Sequence, residues 1–180
     1  GIVRVNDIED LFNCSSILAK QPRPTGRNIV IVTNAGGPGV LATDSIIEKG
    51  GKLAKLSDET IQKLNQVLPQ HWSHGNPVDI IGDGDEDRYQ KAMEICLADN
   101  DVDGMLVLCV PQVVADPNKL AERIIDISRK TTKPIITSFI GEATVYHARQ
   151  ILNANNVPTY DTPDEAVESY MYLYHYERHL

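Results

Sequence analysis

The feature that most constrains the fold of this chain is an apolar strand pattern, which is followed by a glycine-rich turn and then by a helix pattern. The strand pattern covers Asn28–Thr33, the turn contains Gly36, Gly37 and Gly39, and Pro38 presets φ for a first helical turn. Glycine adopts positive φ and carries no Cβ that would keep a ligand away. Backbone N–H groups at the start of a helix are free, and the helix dipole favours an anion beside them. The pattern is therefore typical of a phosphate cradle made of backbone.

A second interpretation of the same turn is purely structural. A tight connection from strand to helix needs small residues so that the helix can pack on the sheet. The turn matches neither G-x-G-x-x-G nor the P-loop, since it lacks the Lys and Ser/Thr of the latter. Spacing alone leaves both interpretations open, because such turns are frequent in α/β folds.

Composition excludes several classes of protein. The 180 residues, 42% of them hydrophobic, suffice for one globular domain and a short appendage. The net charge of −8 and the scattered Lys and Arg argue against binding to nucleic acid or to a membrane surface. No apolar run is long enough to span a bilayer, and no signal peptide precedes the first strand. Three widely spaced cysteines (Cys14, Cys96 and Cys109) favour reduced thiols and a cytoplasmic location over a disulfide framework.

Strand and helix patterns alternate after an amphipathic lead-in helix and a Pro/Gly linker. We assign residues 1–25 to this lead-in helix and linker, which lead out of a preceding domain, and residues 26–180 to one α/β domain. The predicted strands are Asn28–Thr33, Lys52–Lys55, Asp103–Val110, Pro134–Phe139 and Val157–Tyr160. The predicted helices are Asn6–Lys20, Pro38–Lys49, Asp58–Leu68, Glu86–Ala98, Pro117–Lys130, Ala143–Asn153 and Pro163–Tyr176. This alternation predicts a doubly wound parallel sheet of about five strands in the order 2-1-3-4-5.

That strand order puts the topological switch point between the first and third strands, where such sheets bind ligands. The predicted phosphate-binding residues at this point are Asn34, Ala35, Gly36, Gly37 and Gly39. The predicted rim of the crevice consists of Asn76, Asp79, Pro111 and Gln112. For the first two rim residues the alternative is that they only terminate a loop, since Asn before Pro is held extended.

Other polar clusters predict no catalytic or metal site. Asp83, Asp85, Asp87 and Glu94 have the spacing of a calcium loop, but Arg88 stands where that loop needs glycine. An acid-rich helix start is the better interpretation. His71 and His74 follow a proline outside any helix pattern, and no cysteine nearby completes a zinc site. No pair of residues suggests a Ser-His-Asp or Cys-His arrangement.

Several motifs in a fixed order carry a resemblance that covers essentially the whole chain. They are Gly1–Phe12, Thr33–Asp44, Asn76–Asp83, Arg88-Tyr89, Pro111-Gln112 and Val157–Val167. Together they resemble the NDP-forming acyl-CoA synthetases, typified by ADP-forming acetate–CoA ligase and related to succinyl-CoA synthetase. The resemblance implies the flavodoxin-like module that follows the phosphohistidine domain.

The resemblance also implies how such a module takes part in catalysis. In that family a phosphohistidine passes a phosphoryl group between nucleotide and acyl-CoA chemistry. None of the five histidines here matches its His-Thr-Gly segment. ATP or ADP, Mg²⁺ and CoA would therefore bind to the phosphohistidine, CoA-binding and ATP-grasp domains, in the same chain or a partner subunit. The glycine turn would help to hold the phosphate, and the chain alone would be inactive. The alternative is a regulatory or scaffold domain in a protein acetyltransferase fusion.

Overall fold

The computed structural model describes residues Gly1–Leu180 as a sheet between two layers of helices. The strands are β1 (Asn28–Thr33), β2 (Lys52–Leu53), β3 (Val78–Asp79), β4 (Gly104–Cys109), β5 (Ile135–Phe139) and β6 (Thr159–Tyr160). The helices are α1 (Ile8–Lys20), α2 (Gly36–Glu48), α3 (Asp58–Val67), α4 (Glu86–Leu97), α5 (Pro117–Ser128), α6 (Tyr146–Ala154) and α7 (Pro163–Arg178). No helix is both long enough and apolar enough to cross a membrane.

The sheet is parallel throughout and runs in the order β2-β1-β4-β5-β6. The doubly wound fold and the predicted strand order are thus confirmed. β4 lies between β1 and β5 and is buried at every residue, as its unbroken apolar pattern predicts. The carboxyl ends of β1 and β4 are therefore neighbours.

The sequence prediction missed a sixth strand. β3 has only two residues and pairs with Val32 and Thr33 at the end of β1. β2 pairs with the same edge of β1 at its start, through Asn28 and Ile29. A two-residue strand directly after a proline is too short to produce a periodic pattern. The edge of β1 is consequently shared by two short strands with a gap between them.

The two faces of the sheet bury separate cores. Val30 and Val32 face the core beneath α3, α4, α5 and α6, whereas Ile29 and Ile31 face the core beneath α1, α2 and α7. The predicted start of α6 at Ala143 is wrong, because residues 141–145 form a turn before Tyr146. The predicted start of α2 at Pro38 is also too late, since the helix begins at Gly36.

The lead-in helix α1 packs on α7 and buries Cys14 and Ile17. It begins two residues later than predicted because the Asp7 side chain caps it, accepting the Asp10 amide. The assignment of residues 1–25 to a separate unit stays a prediction.

Asp99 is a buried carboxylate that ties the loop after α4 to the start of α3. Its Oδ2 accepts the Ser57 amide at 2.8 Å, and its Oδ1 accepts the Asp101 amide at 3.0 Å. Burial acts to raise the pKa of Asp99, but hydrogen bonds from Thr60, Ser57 and Asp101 outweigh it and hold the pKa below its ordinary value. A pKa that is lower in the folded state stabilises the protein above the unfolded pKa, and this contribution is lost as the pH falls through the folded pKa.

We expect Asp99→Asn to reduce the free energy of unfolding at pH 7 by about 1–2 kcal/mol. We also expect a shallower loss of stability below about pH 4, since the variant has no carboxylate to protonate there. Urea unfolding at neutral and acid pH measures both effects. Asp126→Asn, at an exposed acid on α5, serves as the control. If the free energy of unfolding fell as steeply at acid pH as in the unaltered protein, this role of Asp99 would be contradicted.

Candidate functional site

Two backbone amides are free where α2 begins. The helix starts at Gly36 after Ala35, whose side chain makes no capping hydrogen bond. Gly36 and Gly37 are exposed and precede the first amide that finds a partner within the helix. Pro38 has no N–H, and the first turn contains no acidic residue. The start of α2 therefore offers two N–H donors and the positive end of the helix dipole to an anion.

The amides of Ala35 and Gly39, which were also predicted to bind phosphate, are engaged within the chain. The Ala35 amide donates to Thr33 Oγ1 at 3.0 Å, and that hydroxyl donates back to the Ala35 carbonyl at 2.8 Å. The Gly39 amide donates to the Ala35 carbonyl at 3.4 Å. Gly36 and Gly37 thus keep donors for a ligand, whereas Ala35 and Gly39 do not.

The three glycines of the turn have different surroundings. A Cβ on Gly39 would lie 3.2 Å from Thr33 Cγ2 and 3.5 Å from Pro77 Cβ, so close packing requires this glycine. A Cβ on Gly37 would have nothing within 4 Å. The structural interpretation of the turn consequently applies to Gly39. At Gly37 packing does not require a glycine. Open access of a ligand to the backbone is the reason that remains.

Asn34 joins the carboxyl ends of β1 and β4. Its side chain is buried, its Nδ2 donates to the Val110 carbonyl at 2.8 Å, and its Oδ1 accepts the Val110 amide at 3.0 Å. The amide side chain therefore extends the sheet beyond the last residue of β1. Pro111 and Gln112 follow directly after Val110, and their place at the crevice rim stays a prediction. Both side chains face a loop, with Pro111 against Gly141 and Gln112 against Gly82.

Asn76 lies inside the sheet, in the gap between β2 and β3. Its Oδ1 accepts the Ile31 amide at 3.0 Å, and its Nδ2 donates to the carbonyls of Ile29 at 2.9 Å and Ala54 at 3.0 Å. One side chain thus completes the hydrogen bonding of the β1 edge where no strand does. A place at the crevice rim stays a prediction for Asn76, whose polar atoms all face backbone.

Asp79 brings a carboxylate to the start of α2. Its Oδ1 accepts the Ile81 amide at 2.9 Å, and its own amide donates to Ser73 Oγ at 2.9 Å. Its Oδ2 lies 3.4 Å from the position that a Cβ of Gly36 would take. The negative charge of this carboxylate opposes any second anion at the same amides.

Tyr89 of α4 makes a hydrogen bond to the end of β4, a contact that the sequence analysis missed. The residue is fully buried, and its hydroxyl donates to the Leu108 carbonyl at 2.6 Å near the end of β4. Burial raises the pKa of this phenol well above its ordinary value, so the hydroxyl keeps its proton. The signal that could have indicated this hydrogen bond is a tyrosine at the start of an apolar helix pattern.

The acidic run before α4 forms a helix start, as the sequence analysis favours. Asp85 caps the helix by accepting the Arg88 amide, Asp83 pairs with Arg88, and Asp87 pairs with Arg123. No group of three or more His, Cys, Asp and Glu side chains could hold a metal ion. His74 lies in a loop, where its ring nitrogens contact Asn65 Oδ1 and the Gln70 carbonyl.

Comparison with known proteins gives consistent matches. The model of the Ligase-CoA domain family matches residues 29–178. The 4-hydroxybutyrate–CoA ligase (ADP-forming) of Nitrosopumilus maritimus is 34% identical over 169 residues, which are 94% of this chain and 24% of that protein. The acetate–CoA ligase (ADP-forming) of Methanocaldococcus jannaschii is 38% identical over 180 residues, which are 98% of this chain and 26% of that protein.

A solved structure matches the whole fold. The dinucleotide-forming acetyl-coenzyme A synthetase 1 of Ca. Korarchaeum cryptofilum, in complex with phosphate and ADP, superposes with a TM-score of 0.92 at 31% identity. The match covers 98% of this chain and 39% of that one. The chain therefore spans between about a quarter and two fifths of the proteins it resembles.

Proposed function

We propose that this chain, which belongs to the Ligase-CoA domain family, holds transferred phosphate within an ADP-forming acyl-CoA synthetase. The overall reaction would convert acetate or a related acid, CoA and ATP into acyl-CoA, ADP and phosphate. The observation that carries the proposal is the pair of free, exposed amides of Gly36 and Gly37 at the first turn of α2. The ADP-forming CoA ligases among the similar proteins support the reaction class.

The chain would act by electrostatic stabilisation and would not form a covalent bond. The amides of Gly36 and Gly37 donate to phosphate oxygens, and the dipole of α2 stabilises their charge. Thr33 and Asn34 fix the position of these amides through their own hydrogen bonds. The donors therefore need no rearrangement when phosphate arrives.

The remaining chemistry belongs to other parts of the enzyme. Neither a triphosphate loop with its Lys nor an acidic cluster for Mg²⁺ is present in this chain. ATP or ADP, Mg²⁺, CoA and the phosphohistidine are accordingly assigned to its phosphohistidine, CoA-binding and ATP-grasp domains or to a partner subunit. The three buried, unpaired cysteines agree with a reducing cytoplasm.

We expect the chain by itself to produce no acyl-CoA. None of its five histidines lies in a His-Thr-Gly segment that could carry the phosphoryl group, so incubation with acetate, CoA and ATP should release no ADP above background. Adding the other domains of the enzyme should restore turnover. Release of ADP by the chain alone, dependent on both acetate and CoA, would contradict the proposal.

The sequence of the full protein distinguishes the ligase from the acetyltransferase fusion. A His-Thr-Gly segment in the full protein supports the ligase, and a fused acetyltransferase domain supports the scaffold. No observation on this chain favours the second possibility.

A further inference from the structure

We propose that the outer stripe of α1 is a docking surface for a second copy of this chain, whose own α1 packs against it in the antiparallel direction. The outer stripe consists of Ile8, Leu11, Phe12, Ser15 and Ala19. The inference goes beyond the proposed function and does not depend on it, because α1 takes no part in the glycine turn.

The outer stripe is apolar although it faces solvent. Ile8 is 73% exposed, Leu11 52% and Phe12 69%, whereas Cys14 and Ile17 on the opposite side of the helix are buried. The five residues of the stripe follow the spacing i, i+3, i+4, i+7 and i+11, which places them on one side of a helix. A surface helix normally turns polar residues outward, and a row of exposed apolar side chains marks a contact with another protein.

The charges of α1 do not suit a membrane surface. Glu9 and Asp10 lie in its first turn, and Lys20 in the last turn is the only basic residue of the helix. Helices that lie on membranes carry Lys and Arg along their polar face. The fitting partner is therefore a protein.

The outer stripe is complementary to itself. Its first half carries the large side chains of Ile8, Leu11 and Phe12. Its second half carries only the small residues Ser15 and Ala19, which are exposed. When two such helices pack antiparallel about a two-fold axis, the large side chains of each helix lie over the small residues of the other. With the axis at the middle of the stripe, Phe12 meets Ser15 of the second copy, and Ile8 meets its Ala19.

The polar groups of α1 agree with antiparallel pairing. Ser15 Oγ already donates to the Leu11 carbonyl at 2.7 Å, so a second helix covers it without leaving an unsatisfied hydroxyl. Lys20 Nζ donates to the amide oxygen of Asn153 at 3.1 Å and not to a carboxylate of its own chain. Antiparallel pairing brings Lys20 beside the acidic first turn of the second copy, with its Glu9, and opposes the two helix dipoles. A parallel pair would instead bring like charges together.

The helix α1 is fixed at both ends, so a second copy meets a preformed surface. The Asp7 side chain caps its start by accepting the Asp10 amide at 2.9 Å. Gln21 follows its last residue and joins it to the sheet. Its Oε1 accepts the Ile135 amide at 2.8 Å, and its Nε2 donates to the Asn156 carbonyl at 2.6 Å.

Photo-crosslinking in the full enzyme tests the contact directly. We expect Phe12→p-benzoylphenylalanine to give crosslinks between two α1 peptides, which join two copies because each chain contains one α1. Tyr146→p-benzoylphenylalanine, at a 63% exposed position on α6, is the control and should give no crosslink to α1. Absence of the crosslink between α1 peptides, or crosslinks from position 12 to other segments of the enzyme only, would overturn the proposal.

A charge variant measures how much the outer stripe contributes. In the full enzyme with Ile8→p-benzoylphenylalanine, Phe12→Glu should lower the yield of crosslinked α1 pairs by at least about tenfold, since the pairing buries two carboxylates without partners. Phe12→Leu should retain most of the yield. Both variants should fold normally, because Phe12 is 69% exposed. A yield that Phe12→Glu leaves unchanged would mean that the outer stripe does not hold the second copy. Neither measurement involves phosphate, so failure of this proposal and failure of the proposed function are distinguishable.

Discussion

Gly37→Val in the full synthetase is expected to slow phosphorylation of the histidine by ATP about a hundredfold while the fold survives. Loss of one oriented donor typically costs about 3 kcal/mol of transition-state stabilisation, which corresponds to roughly this factor. The new side chain covers the approach to the Gly37 amide. It causes no clash within the chain, because a Cβ at this position has nothing within 4 Å.

The neighbouring glycine provides the matched control. At Gly39 a Cβ meets Thr33 and Pro77, so Gly39→Val should lower thermal stability, which Gly37→Val should not. Gly37→Ala should fall between the unaltered enzyme and Gly37→Val, since the obstruction grows with side-chain size. Rates of histidine phosphorylation and melting temperatures for all three variants distinguish obstruction of the Gly37 amide from disturbed packing of the turn. A folded Gly37→Val enzyme that phosphorylates at the normal rate would mean that the turn serves packing alone, and the phosphate assignment would be wrong.

The fold could be predicted because its signals are local and repeated. β1 was predicted to the residue, since a long apolar run ends abruptly at a glycine turn. The adjacency of β1 and β4 followed from the alternation of strand and helix patterns, which predicts the strand order of a doubly wound sheet. β3 could not be found in this way. Its two residues are held by pairing with β1 and by the Ser73 hydroxyl, contacts that no periodicity records.

The glycine turn could be placed in the fold from the sequence, but the hydrogen bonds of its amides could not. Glycines and a proline at the switch point indicate where the turn lies. Which of its amides stay free depends on side chains that hydrogen-bond to the backbone. The Ala35 amide is taken by Thr33 Oγ1, two residues earlier. The Asp79 carboxylate reaches Gly36 from a different strand. The contact of Asp79 depends on a three-dimensional distance between separate elements, about which sequence spacing gives no information.

Asn76→Ala is expected to destabilise the protein by about 3 kcal/mol, the largest stability effect that we predict. The side chain satisfies the Ile31 amide and the carbonyls of Ile29 and Ala54, all in buried residues. The Ile29 carbonyl still accepts the Ala54 amide in the variant, but truncation leaves the Ile31 amide and the Ala54 carbonyl without the partner that Asn76 provides. Each such buried group typically costs about 1–3 kcal/mol before the structure relaxes. For a domain of this size the loss corresponds to a melting temperature lower by roughly 10 °C.

Urea unfolding followed by circular dichroism measures the effect, with Asn100→Ala, at an exposed asparagine, as control. The control should change stability by less than about 0.5 kcal/mol. The same pair of variants decides between the two interpretations of Asn76. If the residue only completes the sheet, phosphorylation of the histidine should remain near normal at temperatures where Asn76→Ala is folded. If it touches the ligand at the rim, the rate should fall in the folded variant. A variant as stable as Asn100→Ala would contradict the structural role, because two unsatisfied backbone groups cannot be buried beside β1 without cost.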